Sequence, residues 1–295
     1  MTDMSVDYVC DLRELEEERK DLFKQLFPHL WRELKPVFTR EKTRIVDVGC
    51  GTEYLGRLIV KKSGKKTEVL GMDIDGKLLR GAKKLVKEED LSDYVFFAKA
   101  DAYDLPIPDN SVDIVLFVTL LINVDRPGKV VEEAMRVTKH NGYVFAVESD
   151  FTRDKAYFPY DSRLRELHEK SGEALRKGWK IHGGSPDVAR KLPSIFERAG
   201  LYDVKTVECE YEYSWVIKGD EEEIKGLLDS LKKGQAKIMK MLVDGGMSEE
   251  EIDEYTERAS KLYERLIILR PSERKKYIPK FKVPFFIVHG IKRES

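Results

Sequence analysis

Three acidic residues, each closing an apolar run, and two glycines beside the first of them are the groups in this chain best placed to do chemistry. The stretch Ile45-Val46-Asp47-Val48-Gly49-Cys50-Gly51-Thr52 carries an apolar strand into an acid and then into two glycines. Without Cβ at Gly49 and Gly51, the backbone can turn tightly and touch a ligand directly. At the first strand-to-helix junction of an open α/β sheet, that is where ligands bind. A second acid, Asp73, ends the run Thr67-Glu68-Val69-Leu70-Gly71-Met72 about twenty residues after the glycines, the spacing of a carboxylate that meets ribose hydroxyls. A third, Asp101, lies in Ala100-Asp101-Ala102 after the strand Tyr94 to Lys99, where it could accept from an adenine amino group. Taken singly, the glycines could form an ordinary tight turn and the acids could be helix N-caps. Three acids at three successive strand ends are harder to obtain that way.

Charge and spacing select among nucleotides. The dinucleotide fingerprint G-x-G-x-x-G requires glycine at position 54, and this chain has Tyr54. Asp47 precedes the glycines and Glu53 follows them, so two carboxylates stand where a helix N-terminus would otherwise attract a pyrophosphate. A ligand with a positive centre and an ammonium group is favoured there instead. S-adenosylmethionine has both, and its one carboxylate is small enough to meet backbone amides.

The elements that must position these groups alternate. Strands are expected near 44–48, 67–72, 94–99, 112–118 and 143–148, with helices near 53–63, 76–89 and 127–139, which means a parallel sheet wound with helices. Val204 to Trp215 and Val283 to Lys292 supply two later strand-like runs. Three segments lie outside that minimal sheet. Asp11 to Phe38 is a charged helical stretch with Leu12, Leu15, Leu22, Phe23, Leu26 and Phe27 on an apolar side, expected to break near Pro28. Phe151 to Ser185 carries Tyr157, Phe158, Tyr160, Trp179 and His182. Lys218 to Arg274 predicts two helices. Ile224, Leu227, Leu228, Leu231, Ile238 and Leu242 are periodic in the first, and Asp244-Gly245-Gly246 turns the chain. Ser248 and Glu251 form a capping box for the second, with Ile252, Tyr255, Ala259, Leu262 and Leu266 on one face. These additions either roof a reaction site or are packing or dimer helices, since an apolar stripe requires only a partner surface.

The chain resembles a class I S-adenosylmethionine-dependent methyltransferase over about residues 43–150. The motifs are D-V-G-C-G-T at Asp47 to Thr52, G-M-D-I-D at Gly71 to Asp75, A-D-A at Ala100 to Ala102, and Asp109-Asn110-Ser111-Val112-Asp113-Ile114-Val115. Arg136 to Asp150 is similar to a segment of the ubiquinone-biosynthesis-like small-molecule group. The resemblance implies a Rossmann-like, seven-stranded, mostly parallel sheet whose last strand is antiparallel, with helical lid additions. The implied organisation is an N-terminal lid at 1–42, a core at 43–217 containing an insertion at about 151–185, a helical insertion at 218–275, and a final core strand at 276–295. It also implies that Asp47, Gly49, Cys50 and Gly51 hold the methionine moiety, Asp73 the ribose, Ile74 an adenine face, and Asp101 with Ala102 the adenine edge. The backbone of Phe117 would lie near the methionine ammonium. Two positions depart from the pattern: Glu53 stands where many members have a third glycine, and Asn123 where many carry a histidine.

Whole-chain properties bound the partners. The 295 residues are ample for a core, and the net charge of −1 provides no global basic field to recruit nucleic acid. Charged residues make up 36% while Gln occurs only at positions 25 and 235, a bias that points to a thermophilic, archaeal source. Cys10, Cys50 and Cys209 have neither zinc-ligand spacing nor an even-numbered disulfide framework, so no metal is expected and a cytoplasmic setting is the simplest. Met1 to Cys10 lacks the pattern of a signal peptide, and no run of apolar residues is long enough to span a membrane.

Methyl transfer is an in-line displacement at a carbon already activated by a sulfonium, so the protein mainly aligns the nucleophile and removes water. Few dedicated catalytic residues are expected. His182, flanked by glycines in Trp179-Lys180-Ile181-His182-Gly183-Gly184, is the candidate base or acceptor contact, or else a solvated or helix-capping residue. Tyr160 and Tyr8 are candidates for lining the pocket. Glu148 and Asp150 either face the acceptor or cap the turn after the fifth strand. His29, His140, His168 and His289 lie in structural contexts. The chain lacks the Asn/Asp-Pro-Pro-aromatic element and the Pro-Cys or Thr-Cys pairs of base-methylating enzymes. Gly184 to Pro193, followed by Phe196 to Leu201, is similar to the helix preceding the sixth strand of small-molecule members. A small organic acceptor is therefore expected. The alternatives are an RNA or protein acceptor gripped through Lys275, Lys276, Lys280 and Lys282, a cofactor-binding sensor, and a nicotinamide oxidoreductase.

Overall fold

The computed structural model describes residues 12–38, 42–64, 66–158, 161–213, 221–222, 224–226, 228, 236–274 and 276–294. Tyr8, Cys10, Tyr160, Trp215, Leu227, Leu231 and Lys275 lie outside the described residues. The chain forms two compact units. One holds residues up to Ser149 with Val188–Cys209 and Phe285–Ser295; the other holds Asp150–Asp187 and Glu210–Pro284.

The first unit is built on parallel strands β1 (Thr43–Val48), β2 (Thr67–Asp73), β3 (Val95–Lys99), β4 (Val112–Val118) and β5 (Thr138–Ser149). Helices α2 (Tyr54–Lys62), α3 (Gly76–Glu88) and α4 (Pro127–Val137) alternate with them. In space the order is β3-β2-β1-β4-β5, followed by β8 (Lys280–Lys292), which runs antiparallel to β5 with Ala146 opposite Val288; β7 (Leu201–Tyr213) pairs with β8. The order reverses between β1 and β4, where Val48 pairs with Phe117, and this switch point opens the crevice in which α/β sheets bind ligands. Every residue of β4 is buried, as a central parallel strand covered on both faces requires. A three-residue strand, β6 (Lys155–Tyr157), pairs with the start of β8, so among the described residues the strands number eight rather than the expected seven.

Helix α1 (Leu12–Leu34) corrects an expectation, because it continues through Pro28. A proline inside a helix removes one hydrogen bond and crowds the preceding turn at a cost of about 3 kcal/mol. Here Leu22, Phe23, Leu26, Leu30 and Leu34 are all buried along one stripe, and burial of that stripe outweighs the cost. The chain then tightens into a 3₁₀ turn, Lys35–Val37, around Pro36.

The second unit is helical. Helix α5 (Ser162–Ile181) packs against α7 (Ala236–Asp244), and α8 (Glu249–Ile268) closes the group. Ile224, Leu228, Ala259, Tyr263 and Leu266 share one core with Phe158, Leu164 and Phe281. The capping box is present: Ser248 Oγ accepts from Glu251 N–H, and Glu251 accepts from Ser248 N–H at 3.1 Å. Helix α6 (Val188–Arg198) belongs to the first unit, ahead of β7.

Candidate active site

The loop after β1 is shaped by hydrogen bonds to β2. Gly49 and Cys50 N–H both donate to Met72 O, at 2.7 and 3.0 Å, and Gly51 N–H donates to Asp73 Oδ2 at 3.0 Å. Gly49 sits at φ 73 and Gly51 at φ 53, in the left-handed region. A Cβ on Gly49 would also come within 2.8 Å of the Leu120 side chain. The loop therefore needs glycine at these two positions for its backbone path, and at Gly49 for close packing as well.

Asp73 has a second bond, accepting from Asp75 N–H at 2.8 Å, and its burial raises its pKa against the lowering effect of these N–H donors. Ile74, beside it, exposes 59% of its surface, which suits an apolar face awaiting a flat ligand. Asp101 is exposed and accepts from Tyr103 N–H at 3.0 Å, with Ala102 between them. Phe117 is fully buried and in register with Val48. Asp47, Gly49, Cys50, Gly51, Asp73, Ile74, Asp101, Ala102 and Phe117 thus gather along the carboxyl edge of one sheet.

Arg19 and Tyr54 at this edge were not among the expected site residues, and Glu148 was expected only to face the acceptor or cap a turn. Helix α1 lies over the loop: Phe23 stacks on Tyr54 with ring centroids 6.0 Å apart, and Arg19 donates to Thr119 Oγ1 at 2.7 Å. Arg19, Phe23, Asp47, Gly49, Cys50, Tyr54, Leu55 and Val118 line a small, partly open crevice. Arg19 was legible as a charged residue within the apolar stripe, between Leu15 and Leu22 at helical spacing. Glu148 is fully buried and accepts from Leu121 N–H at 2.7 Å, which ties β5 to the loop after β4. Burial pushes its pKa up to about 8 against the pull of those backbone donors and of Arg19.

The candidates in the second unit have structural partners. His182 caps α5, where Gly184 N–H bonds to Trp179 O and Gly183 N–H to Lys180 O, the double bond pattern of a glycine-terminated helix. Its Nε2 lies 2.8 Å from Asp244 Oδ2. Asp150 accepts from Thr152 N–H at 3.0 Å, a turn-capping role. His168 is half-buried with Nδ1 3.1 Å from Tyr255 OH, and desolvation takes its pKa down to about 4. In the first unit, His289 stacks on Phe145 and faces Glu33. The lysines of the basic run are partly neutralised, Lys282 by Glu210 at 2.6 Å and Lys280 by Glu212 at 3.1 Å. No cluster of metal-ligating side chains and no helix long and apolar enough to cross a membrane is found among the described residues.

The first unit's edge suits S-adenosylmethionine on its own features. Asp47 Oδ1 is buried without a donor and Thr52 Oγ1 without a partner beside the glycine loop, carboxylates stand at the ends of β2 and β3, and Ile74 offers an exposed apolar face. The crevice under α1 borders Asp47, Gly49 and Cys50, where the methionine end would lie, and the adenosine would follow the open edge.

A family described as "Methyltransferase domain" matches residues 46–146. The chain is 29% identical to a demethylmenaquinone methyltransferase of Bacillus velezensis over 59% of its length and 78% of that protein's. It is 28% identical to the Bacillus subtilis enzyme of the same name over 59% and 75% of the two chains. The crystal structure of the YcgJ protein from Bacillus subtilis superposes with a TM-score of 0.56 at 20% identity, covering 91% of this chain and 100% of that one, a likeness of fold. The chain carries a class I S-adenosylmethionine-dependent methyltransferase domain, similar in sequence to those of quinone-biosynthesis relatives.

Proposed function

We propose that this enzyme moves the methyl group of S-adenosylmethionine to a small, ring-containing organic acceptor of the quinol type, by in-line displacement. The observation that carries the proposal is the alignment of Asp47, Asp73 and Asp101 at the ends of three parallel strands, beside a glycine loop that Asp73 holds through Gly51 N–H. The relatives named as demethylmenaquinone methyltransferases supply the acceptor class.

In this reading Asp73 holds the ribose hydroxyls, Ile74 covers one adenine face, Asp101 and Ala102 meet the adenine edge, and Asp47, Gly49, Cys50, Gly51 and the Phe117 backbone surround the methionine end. Bound S-adenosylmethionine supplies an electrophilic methyl carbon on a sulfonium. Helix α1 excludes water from the methionine end through Phe23 and Tyr54. Glu148 and Arg19 fix the loop Thr119–Leu121 from two sides. The helical unit lies outside the matched family residues, and in this reading it contributes to the choice of acceptor. His182, bonded to Asp244, is its candidate base.

The pairing of Lys280 and Lys282 with glutamates weighs against an RNA grip. The test supplies a prenylated hydroxynaphthoquinol and radiolabelled S-adenosylmethionine. Label in the organic extract supports the quinol-type acceptor. Label absent from it, but incorporated into a mixed pool of other small phenols and amines, would replace the quinol with another acceptor.

A further inference from the structure

Glu53 occupies a slot that the sequence has cleared for it. Its backbone lies at φ 58, a left-handed conformation uncommon outside glycine. Its side chain turns under the loop and is fully buried. A Cβ placed on Gly56 would fall 2.0 Å from Glu53 Oε1, and one placed on Gly71 would fall 2.0 Å from Oε2. Two glycines, one in α2 and one in β2, thus make room for this carboxyl.

No N–H, hydroxyl or cationic side chain donates to it as a carboxylate. Both Glu53 oxygens and Asp47 Oδ1 are buried without a donor. The two carboxyls lie within hydrogen-bonding reach of each other, with the Cys50 thiol against Glu53. The surrounding charges come from every packed element. Arg57 of α2 directs its guanidinium to Glu53 main-chain O, Glu16 and Glu89. Arg19 of α1 faces Asp47 and donates to Thr119, and Asp73 of β2 adds a further negative charge. Two dry carboxylates in contact cannot both ionise, so at least one retains a proton that bonds it to the other. Burial drives the affinity of the pair for protons upward.

We propose that Glu53 shares a proton with Asp47 in the cofactor-free enzyme, that binding of cationic S-adenosylmethionine expels this proton to solvent, and that Glu53 thereby sets the preference for S-adenosylmethionine over S-adenosylhomocysteine. The inference rests on the methionine end lying beside Asp47. S-adenosylmethionine brings a sulfonium charge that its product lacks, and a positive charge next to the pair lowers the cost of ionising the second carboxyl. The product brings only the ammonium and carboxylate, which offset each other. A proton released on binding makes affinity rise with pH.

The experiment is titration calorimetry of the full chain with S-adenosylmethionine and with S-adenosylhomocysteine, each in three buffers of different ionisation enthalpy near neutral pH. For the wild type, the S-adenosylmethionine enthalpy should follow the buffer with a slope of roughly one proton, and the product with less than half of that. Glu53→Gln, which keeps shape and a hydrogen bond to Asp47, should abolish the slope and narrow the preference between the two ligands. Glu53→Gly, which relieves the positive φ, serves as the second variant and should do the same. Wild-type enthalpies independent of buffer, equal slopes for the two ligands, or a slope that survives both substitutions would each overturn the inference while leaving the cofactor reading intact. Absence of S-adenosylmethionine binding would instead overturn the cofactor reading and the inference with it.

Discussion

Arg19 and Thr119 are 100 residues apart in sequence and 2.7 Å apart in space, guanidinium to hydroxyl. The bond ties α1 to the loop after β4 at Thr119, which itself holds a φ of 49. It also brings a cation beside the two buried acids Asp47 and Glu148. Arg19→Met keeps the helix and most of the apolar stem while removing the charge. It should destabilise the cofactor-free protein by about 1–3 kcal/mol in urea unfolding, the scale of a lost charge-assisted bond. Lys20→Met, one residue on and exposed, should be neutral within about 0.5 kcal/mol. Equal effects of the two would remove Arg19 from the account.

Asp73 accepts from both Gly51 and Asp75, so it organises the loop before any ligand arrives. Asp73→Ala should weaken S-adenosylmethionine binding by roughly 1–3 kcal/mol, read by calorimetry. Asp73→Asn should retain part of the affinity, because the amide oxygen can still accept from Gly51. Unchanged affinity in the alanine variant would contradict the ribose assignment.

Glu148 gives the site a defined pH signature. Its folded pKa is about 8, above the 4.5 of an unfolded glutamate, because burial disfavours the charge. The folded state therefore holds this proton more tightly. The resulting stability is fully present below pH 4.5 and is lost as pH rises towards 8. Glu148→Gln cannot ionise, and its amide oxygen can still accept from Leu121. The loss of stability between pH 5 and 8.5 should be smaller in this variant by about 1–3 kcal/mol, measured by denaturant unfolding at each pH. Parallel pH profiles for the two proteins would show that Glu148 is ionised without cost.

In the second unit, α5 and α7 approach so closely that a Cβ on Gly178 would lie 2.1 Å from Met241 O. Gly178→Ala would normally gain helix propensity by up to about 1 kcal/mol. Here overpacking should dominate and lower the stability by about 1–3 kcal/mol. A rise in melting temperature would mean that the helices can separate freely.

The centre of the sheet was legible because β1, β2 and β4 are short apolar runs closed by an acid or a turn, and they lie within a few residues of their expected bounds. The cofactor loop was legible for the same local reason: Gly49 and Gly51 adopt the positive φ that glycine tolerates best. The course of α1 through Pro28 was not, since local propensity opposes it and only burial of Leu26 and Leu30 decides it. Arg19 and Glu148 were visible as residues, but their partners were not. Their roles arise from contacts 100 and 27 residues away, which periodicity cannot reveal. Glu53 was visible as a departure from the motif, but the slot cleared by Gly56 and Gly71 emerges only when α2 and β2 are folded together.

The central claim is methyl transfer from S-adenosylmethionine to a small molecule. It is tested most directly by incubating the protein and labelled S-adenosylmethionine with a cell extract, then separating small molecules, RNA and protein. Label in the small-molecule fraction, lost in the Asp73→Ala variant, is the predicted result. Label confined to RNA or protein would contradict the acceptor class, and no transfer to any fraction despite cofactor binding would contradict catalysis itself and leave a cofactor-binding sensor.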